Sequence, residues 1–261
     1  MDLAAIIGLV VAFGAIFTAQ LLEGGNPASL FLLPPLVLVF LGSFGAAMLG
    51  GVMKDSLGVF GQIKRAFTAK VTPPNELVDG VVKLAERARR EGLLALEDTV
   101  KEVNDPFLKR GLQLAIDGTD PEELSEILYA EVSAKRKADK TSAKIFEAMG
   151  GYAPTIGIVG TVMGLVNVLE NLDKPETLGH SIAVAFLATL WGIMSANVIW
   201  LPIAARLKRI SELECDQMEL AIEGVLAIQA GSNPRLVAQK LRSLLPPDAA
   251  KADGDKAKKA A

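Results

Sequence analysis

Apolar residues along the chain gather into four long runs, at about 3–22, 30–52, 152–170 and 181–203. Each run approaches the ~20 residues a helix needs to cross ~30 Å of hydrocarbon at ~1.5 Å per residue. The segments "EGGNPAS" (23–29) and "NLDKPETLG" (171–179) carry turn chemistry and join the runs into two hairpins. Between the hairpins the pattern changes: "LVDGVVKLAERARREGLLALEDTVKEV" repeats apolar positions three and four apart among charges, as an amphipathic helix does, with Gly92 as its interruption. Asp120, Pro121 and Glu122 read as an N-cap, a first-turn proline and an acid that suits the helix dipole, opening a helix from about 121 to near 150. Beyond the fourth run, Ile210, Leu213, Met218, Ala221, Ile222, Val225 and Ile228 outline one apolar side of a helix that continues to Ala230.

The pattern therefore predicts an all-α membrane protein with four transmembrane helices. Its parts are a first hairpin (1–52), a cytoplasmic helical domain (53–149), a second hairpin (150–205), a cytoplasmic extension of the fourth helix (206–245) and a tail (246–261). The tail is rich in Ala, Lys and Asp without an apolar period and is expected to be disordered.

Composition agrees, since 51% hydrophobic residues and a positive mean hydropathy of +0.36 point away from an ordinary soluble globule. The first run lacks the basic flank of a signal peptide, Asp2 being the only charge before Glu23, so it is expected to be retained as a span. Of the 27 Lys and Arg, sixteen lie in 53–149, ten after Pro202 and only Lys174 in the loop 171–180. The positive-inside rule then places both termini and the middle domain in the cytoplasm. The single cysteine, Cys215, excludes an intrachain disulfide and is expected to be inert and structural.

No phosphate loop, zinc spacing or nucleophile elbow is present, and "GIVGTVMG" lacks the lysine of a phosphate loop. No enzyme, cofactor, bound metal or nucleic-acid partner is expected. His180, the one histidine, falls at the outer membrane edge as an interfacial side chain.

The informative chemistry lies in the second hairpin. Spacings of three, four and seven put Pro154, Gly157, Gly160, Thr161 and Gly164 on one side of the third span. Ala185, Ala188, Thr189, Gly192, Ser195 and Ala196 do the same on the fourth. Thr161 lies nine residues in from Glu170 and Thr189 eight in from Ser181, so antiparallel neighbours would hold the two hydroxyls at similar depth. Two readings stand. The small residues form a close-packing face and each hydroxyl bonds to a carbonyl of its own helix, or the hydroxyls offer oxygen ligands to a partly dehydrated cation, or order a file of water. Inside the four runs there is no Asp, Glu, Lys or Arg, Glu170 marking an outer end. Moving Na+ or H+ normally requires an ionisable group at depth, so a conducting chain needs a partner that supplies the carboxylate.

The segments "GGYAPTIGIVGTVMGLVNVLENL", "AVAFLATLWGIMSANVIWLPIA", "MELAIEGVLAIQAGSNPRLV" and "RREGLLALE" resemble the flagellar motor stator A subunit, the MotA/PomA family within the MotA/TolQ/ExbB superfamily. The likeness extends over almost the whole chain. It implies a multi-pass protein of the bacterial inner membrane. It also implies a ring of A subunits, five by family analogy, around B subunits (MotB/PomB-like) that each carry a membrane Asp, with torque applied to a rotor switch protein (FliG-like). It further implies that Thr161 and Thr189 lie on the ion path, with a transient Na+ there, that Pro154 and Pro202 are hinges, and that Arg89, with Arg90 as its neighbour, and Glu97 face the rotor. Thr161 is shared with sodium-driven members whereas Ala188 departs from them, which leaves the ion as Na+ or H+. Two alternatives remain at this stage: an ExbB/TolQ-like energiser of outer-membrane transport, and a non-conducting membrane scaffold whose small faces only pack helices.

Overall fold

The computed structural model describes residues 3–246, and within them the chain forms helices and turns without a strand. The expected disordered tail lies outside the described residues apart from Pro246. Eleven α-helices follow in order: α1 Ala4–Leu22, α2 Leu33–Leu49, α3 Met53–Leu57, α4 Val59–Thr68, α5 Pro74–Glu91, α6 Glu97–Glu102, α7 Pro106–Ile116, α8 Pro121–Glu170, α9 Pro175–Met194, α10 Leu201–Gln229 and α11 Pro234–Ser243. A π-helical turn, Ser195–Trp200, joins α9 to α10.

Among the described residues, three helical stretches are long and apolar enough to cross a membrane: α1, a part of α8, and a part of the continuous helical segment Pro175–Gln229. The remaining apolar run, 30–52, forms a shorter helix, α2, of 17 residues. It is trimmed because Asn26 caps a 3-10 turn over Pro27–Leu30 and Pro34 and Pro35 occupy the first turn of α2. Prolines start helices readily there because the first-turn N–H groups have no intrahelical partner.

The chain divides into two compact units. The first comprises the residues up to Lys70 and Asp139–Ile210, and the second Val71–Ala138 and the described residues from Ser211 onward. Helices α8 and α10 each run through a unit boundary without a break.

Within the first unit, aromatic side chains tie the apolar helices together. Phe13, Phe17, Phe31, Trp191, Phe40 and Trp200 form a chain of ring contacts with centroids 5.4–5.9 Å apart. Such tilted and edge-on pairs each contribute ~0.5–1.5 kcal/mol beyond the area they bury. The indole N–H of Trp191 donates to the carbonyl of Leu30 at 2.7 Å, fixing α9 against the turn between α1 and α2. Toward the other end of the same unit, Arg65 holds Asp139 through two hydrogen bonds of 2.5 and 3.1 Å, which fastens α4 to α8. Arg206 donates to the carbonyl of Ala66, and Lys208 pairs with Glu147.

The second unit buries a hydrophobic core of its own. Val78, Val81 and Leu84 of α5, Leu112 of α7, Leu124, Leu128 and Val132 of α8, and Ile222, Val225 and Ile228 of α10 are buried together with Val237 and Leu241 of α11. Cys215 is a free thiol inside this core. Asp120 caps α8 by accepting from the N–H of Glu122 at 2.9 Å, as its place before Pro121 suggests. Gly92 ends α5 with φ +86°, a conformation that a residue with a Cβ rarely adopts, so glycine is required at this corner.

Candidate functional site

The site begins with glycine, because only a helix without side chains on one face lets another backbone approach this closely. A methyl group added to Gly157 would lie 2.7 Å from the carbonyl oxygen of Ala188, and one on Gly192 would lie 2.7 Å from that of Ala153. At Gly160 the added carbon would meet the Cβ of Ala188 at 2.6 Å, and at Gly164 the Cβ of Ala185 at 2.5 Å. The two stripes read from the sequence, Gly157, Gly160 and Gly164 on α8 and Ala185, Ala188 and Gly192 on α9, therefore press against each other. The large residues that alternate with them, Ile158, Val159, Val162, Met163 and Phe186, remain exposed.

Thr161 and Thr189 sit half-buried in this seam and their hydroxyls are hydrogen-bonded to each other. Thr161 Oγ1 is also 3.0 Å from the carbonyl oxygen of Ala185 and 3.3 Å from that of Gly157, while Thr189 Oγ1 is 3.4 Å from that of Gly157. Two hydroxyl protons thus face a set of four oxygens, two hydroxyl and two carbonyl. Both local readings of the threonines have a counterpart in this geometry. Back-bonding occurs at Thr161 with its own helix, and Thr189 bonds across the seam instead. Four oxygens also converge on one point of an otherwise apolar pair of helices, a donor set suited to hydroxyl and carbonyl coordination or to water.

Pro154 lies inside α8 rather than at its start. It removes one backbone donor and crowds the carbonyl four residues back. Pro202 acts on a neighbouring helix through a feature the sequence did not announce. Just before it the backbone widens into the π turn Ser195–Trp200, where the N–H of Leu201 reaches the carbonyl of Ala196, five residues back. Pro202 cannot donate, and the one-residue shift in the ladder falls where its ring would otherwise press on the carbonyl of Val198. Asn197 supports the widened turn by donating its side-chain amide to the carbonyl of Ile193 at 2.8 Å.

Arg89, Arg90 and Glu97 are exposed around the corner between α5 and α6, and among the described residues none of them forms an ion pair. Their neighbour Arg87 behaves differently. It bonds Glu91 at 3.0 Å and also Thr99, stitching the end of α5 to α6. Asp98 and Lys101 pair at 2.8 Å on the exposed side of α6, which holds the Asp98 carboxyl below its ordinary pKa and raises that of Lys101. On the same unit, burial and then the adjacent Glu223 carboxylate push the Tyr129 phenol upward, so it stays a donor to Glu223. Sequence reasoning found the exposed charges but missed Arg87, whose role depends on a threonine twelve residues away.

Comparison with known proteins agrees with this architecture. A family model described as the MotA/TolQ/ExbB proton channel family matches residues 99–220. The chain is 37% identical to Motility protein A of Borreliella burgdorferi, covering 95% of each chain. It is 33% identical to the chemotaxis protein PomA of Vibrio alginolyticus, covering 94% of this chain and 96% of that one. The flagellar MotAB stator complex of Bacillus subtilis contains a chain that superposes with a TM-score of 0.87 at 36% identity, over 98% of both chains. The small-residue seam, the helices long enough to span a bilayer, and this full-length similarity together place the chain in the motility protein A (MotA/PomA) family of flagellar stator subunits.

Proposed function

We propose that this stator subunit crosses the inner membrane four times, through α1, α2, the second half of α8 and α9 with the π turn. Both termini and the Val71–Ala138 region would face the cytoplasm. The distribution of Lys and Arg supports this orientation, only Lys174 falling on the side assigned outward. At 17 residues and ~1.5 Å each, α2 is somewhat short for ~30 Å of hydrocarbon, and local thinning of the bilayer accommodates such a span at small cost.

With a B subunit, the chain forms a cation channel that turns ion flow into torque. The observation that carries this reading is the convergence of Thr161 Oγ1, Thr189 Oγ1 and the carbonyls of Gly157 and Ala185 in a span devoid of charge. Oxygens held this way replace part of an ion's hydration shell, but none of them takes up a proton near neutral pH. The titrating carboxylate must come from the membrane Asp of the partner. The transported ion is Na+ or H+, and no cofactor is involved. Five copies would surround the B subunits, and occupancy of the path would reach the cytoplasm through bending at Pro154 and at the π turn before Pro202. Arg89, Arg90 and Glu97, exposed and without ion-pair partners among the described residues, would engage charges of the FliG-like rotor protein.

Swimming speed tests this reading in a stator-deleted host that expresses the subunit with its cognate B subunit. The variables are external Na+ at fixed pH and a proton uncoupler. Speed that saturates with Na+ and survives the uncoupler identifies Na+ as the driving ion and supports Thr161 as part of its site, and speed that ignores Na+ and collapses with the uncoupler identifies protons. Absence of motility despite membrane insertion with the partner would overturn the stator reading in favour of an ExbB/TolQ-like energiser.

A further inference from the structure

A second polar site lies away from the threonine seam. A pocket of about 200 Å³ opens between the end of α2, the short helix α3 and α8, lined by Gly50, Gly51, Asp55, Ser56, Thr141, Lys144 and Tyr152 among others. Ser56 is only 5% exposed and, among the described residues, its hydroxyl has no hydrogen-bond partner. A buried hydroxyl left unsatisfied keeps its full desolvation penalty, so a ligand or water at this spot is expected. Asp55 is half-buried and Lys144 exposed, and among the described residues neither forms an ion pair. The pocket therefore presents one anion, one cation and hydroxyl groups on its wall.

The surroundings indicate what carries the matching charges. Leu49 is 90% exposed, Leu57 75% and Phe60 82%, and Val52, Met53 and Tyr152 are exposed beside them. In the proposed layout these residues lie where α2 leaves the bilayer on its cytoplasmic side. The volume is smaller than the ~300–1,000 Å³ of a site for a drug-sized molecule and suits a head group. A purely anionic head group would satisfy Lys144 but would meet the carboxylate of Asp55. One bearing both a phosphodiester and an ammonium satisfies both.

We infer that this pocket binds the head group of an aminophospholipid from the inner leaflet. Lys144 pairs with the phosphodiester, Asp55 with the ammonium, Ser56 and Tyr152 bond the remaining oxygens, and the acyl chains lie along Leu49, Val52 and Leu57. The inference rests on the four-span layout, and its failure can be told apart from failure of that layout. An alkaline carbonate wash that released the wild-type chain from membranes would reject the layout, whatever the lipid.

The test uses the complex of this subunit and its B subunit in nanodiscs of equimolar phosphatidylethanolamine and phosphatidylglycerol, released into native mass spectrometry to identify retained lipids. Wild type is expected to retain phosphatidylethanolamine over phosphatidylglycerol by about tenfold, the ratio given by ~1.4 kcal/mol. Asp55→Asn should lower that preference or reverse it, because the carboxylate that rejects a net anion is gone. Lys144→Gln, at an exposed position that does not threaten folding, should reduce retention of both lipids. Equal retention of the two lipids by wild type, or a preference unchanged in both variants, would overturn the proposal and leave the pocket to water. Displacement of bound lipid by soluble glycerophosphoethanolamine at equal concentration would overturn the lipid assignment in favour of a free phosphoamine.

Discussion

The two halves of α8 solve opposite packing problems with one unbroken helix. Over its first turns it buries Leu124, Leu128 and Val132 and exposes charges such as Glu122 and Glu123. Farther along it buries Ala153, Gly157 and Gly160 and exposes Ile158, Val159, Val162 and Met163. In water, association is driven by hiding large apolar groups. In hydrocarbon that drive vanishes, and contact is gained by letting backbones approach until dispersion and polar bonds act. The helix changes its rule for what to bury along its length, as the proposed passage from cytoplasm to bilayer requires, and the threonine pair sits in the second regime.

This comparison can be broken by substitution, most severely in the first half of α8. Leu128→Ala removes a fully buried side chain and should cost about 2–5 kcal/mol, read as lost protection in hydrogen exchange of the second unit. Gly157→Ala is the mirror experiment in the seam. The added methyl meets a backbone carbonyl that has no rotamer to change, so it should cost about 1–3 kcal/mol and lower both the melting temperature of the purified complex and motility. If Gly157→Ala were silent while Gly151→Ala, at a position open to space, were not, the close-packing account of the seam would be wrong. Smaller still, Arg110→Ala breaks an exposed pair with Glu131 at 3.0 Å and should change stability by less than about 1 kcal/mol. Smallest in stability is charge reversal at Arg89, Arg90 and Glu97. These exposed side chains should leave the melting temperature within error, yet the combined variant should reduce bead-rotation torque severalfold. Unchanged torque would remove them from the rotor surface.

The same contrast explains what was legible in the sequence. The seam could be read because glycines and alanines recur at helical spacing and because depth counts along two antiparallel helices are local arithmetic. The cap at Asp120 and the corner at Gly92 were legible for the same reason, each being decided by a few adjacent residues. The π turn was not, since Ser195–Trp200 contains nothing that forbids an α-helix and only Pro202 beyond it hints at a shifted ladder. The aromatic chain from Phe13 to Trp200 and the clamp from Arg87 to Thr99 depend on pairings between separate elements, which no periodicity encodes. The orphaned hydroxyl of Ser56 became visible only once α2, α3 and α8 were placed together.

The central claim is that the hydroxyls of Thr161 and Thr189 act on the ion and do more than hold α8 to α9. Single-motor torque of the Thr161→Val/Thr189→Val double variant, measured across the driving-ion concentration, tests it most directly. Valine keeps the shape of each side chain and removes both hydroxyls. The account predicts a complex that reaches the membrane at normal levels but loses torque, or needs roughly tenfold more ion for half-maximal speed, the shift that ~1.4 kcal/mol of lost ion binding gives. Wild-type torque at every ion concentration would contradict it and leave the pair as packing alone.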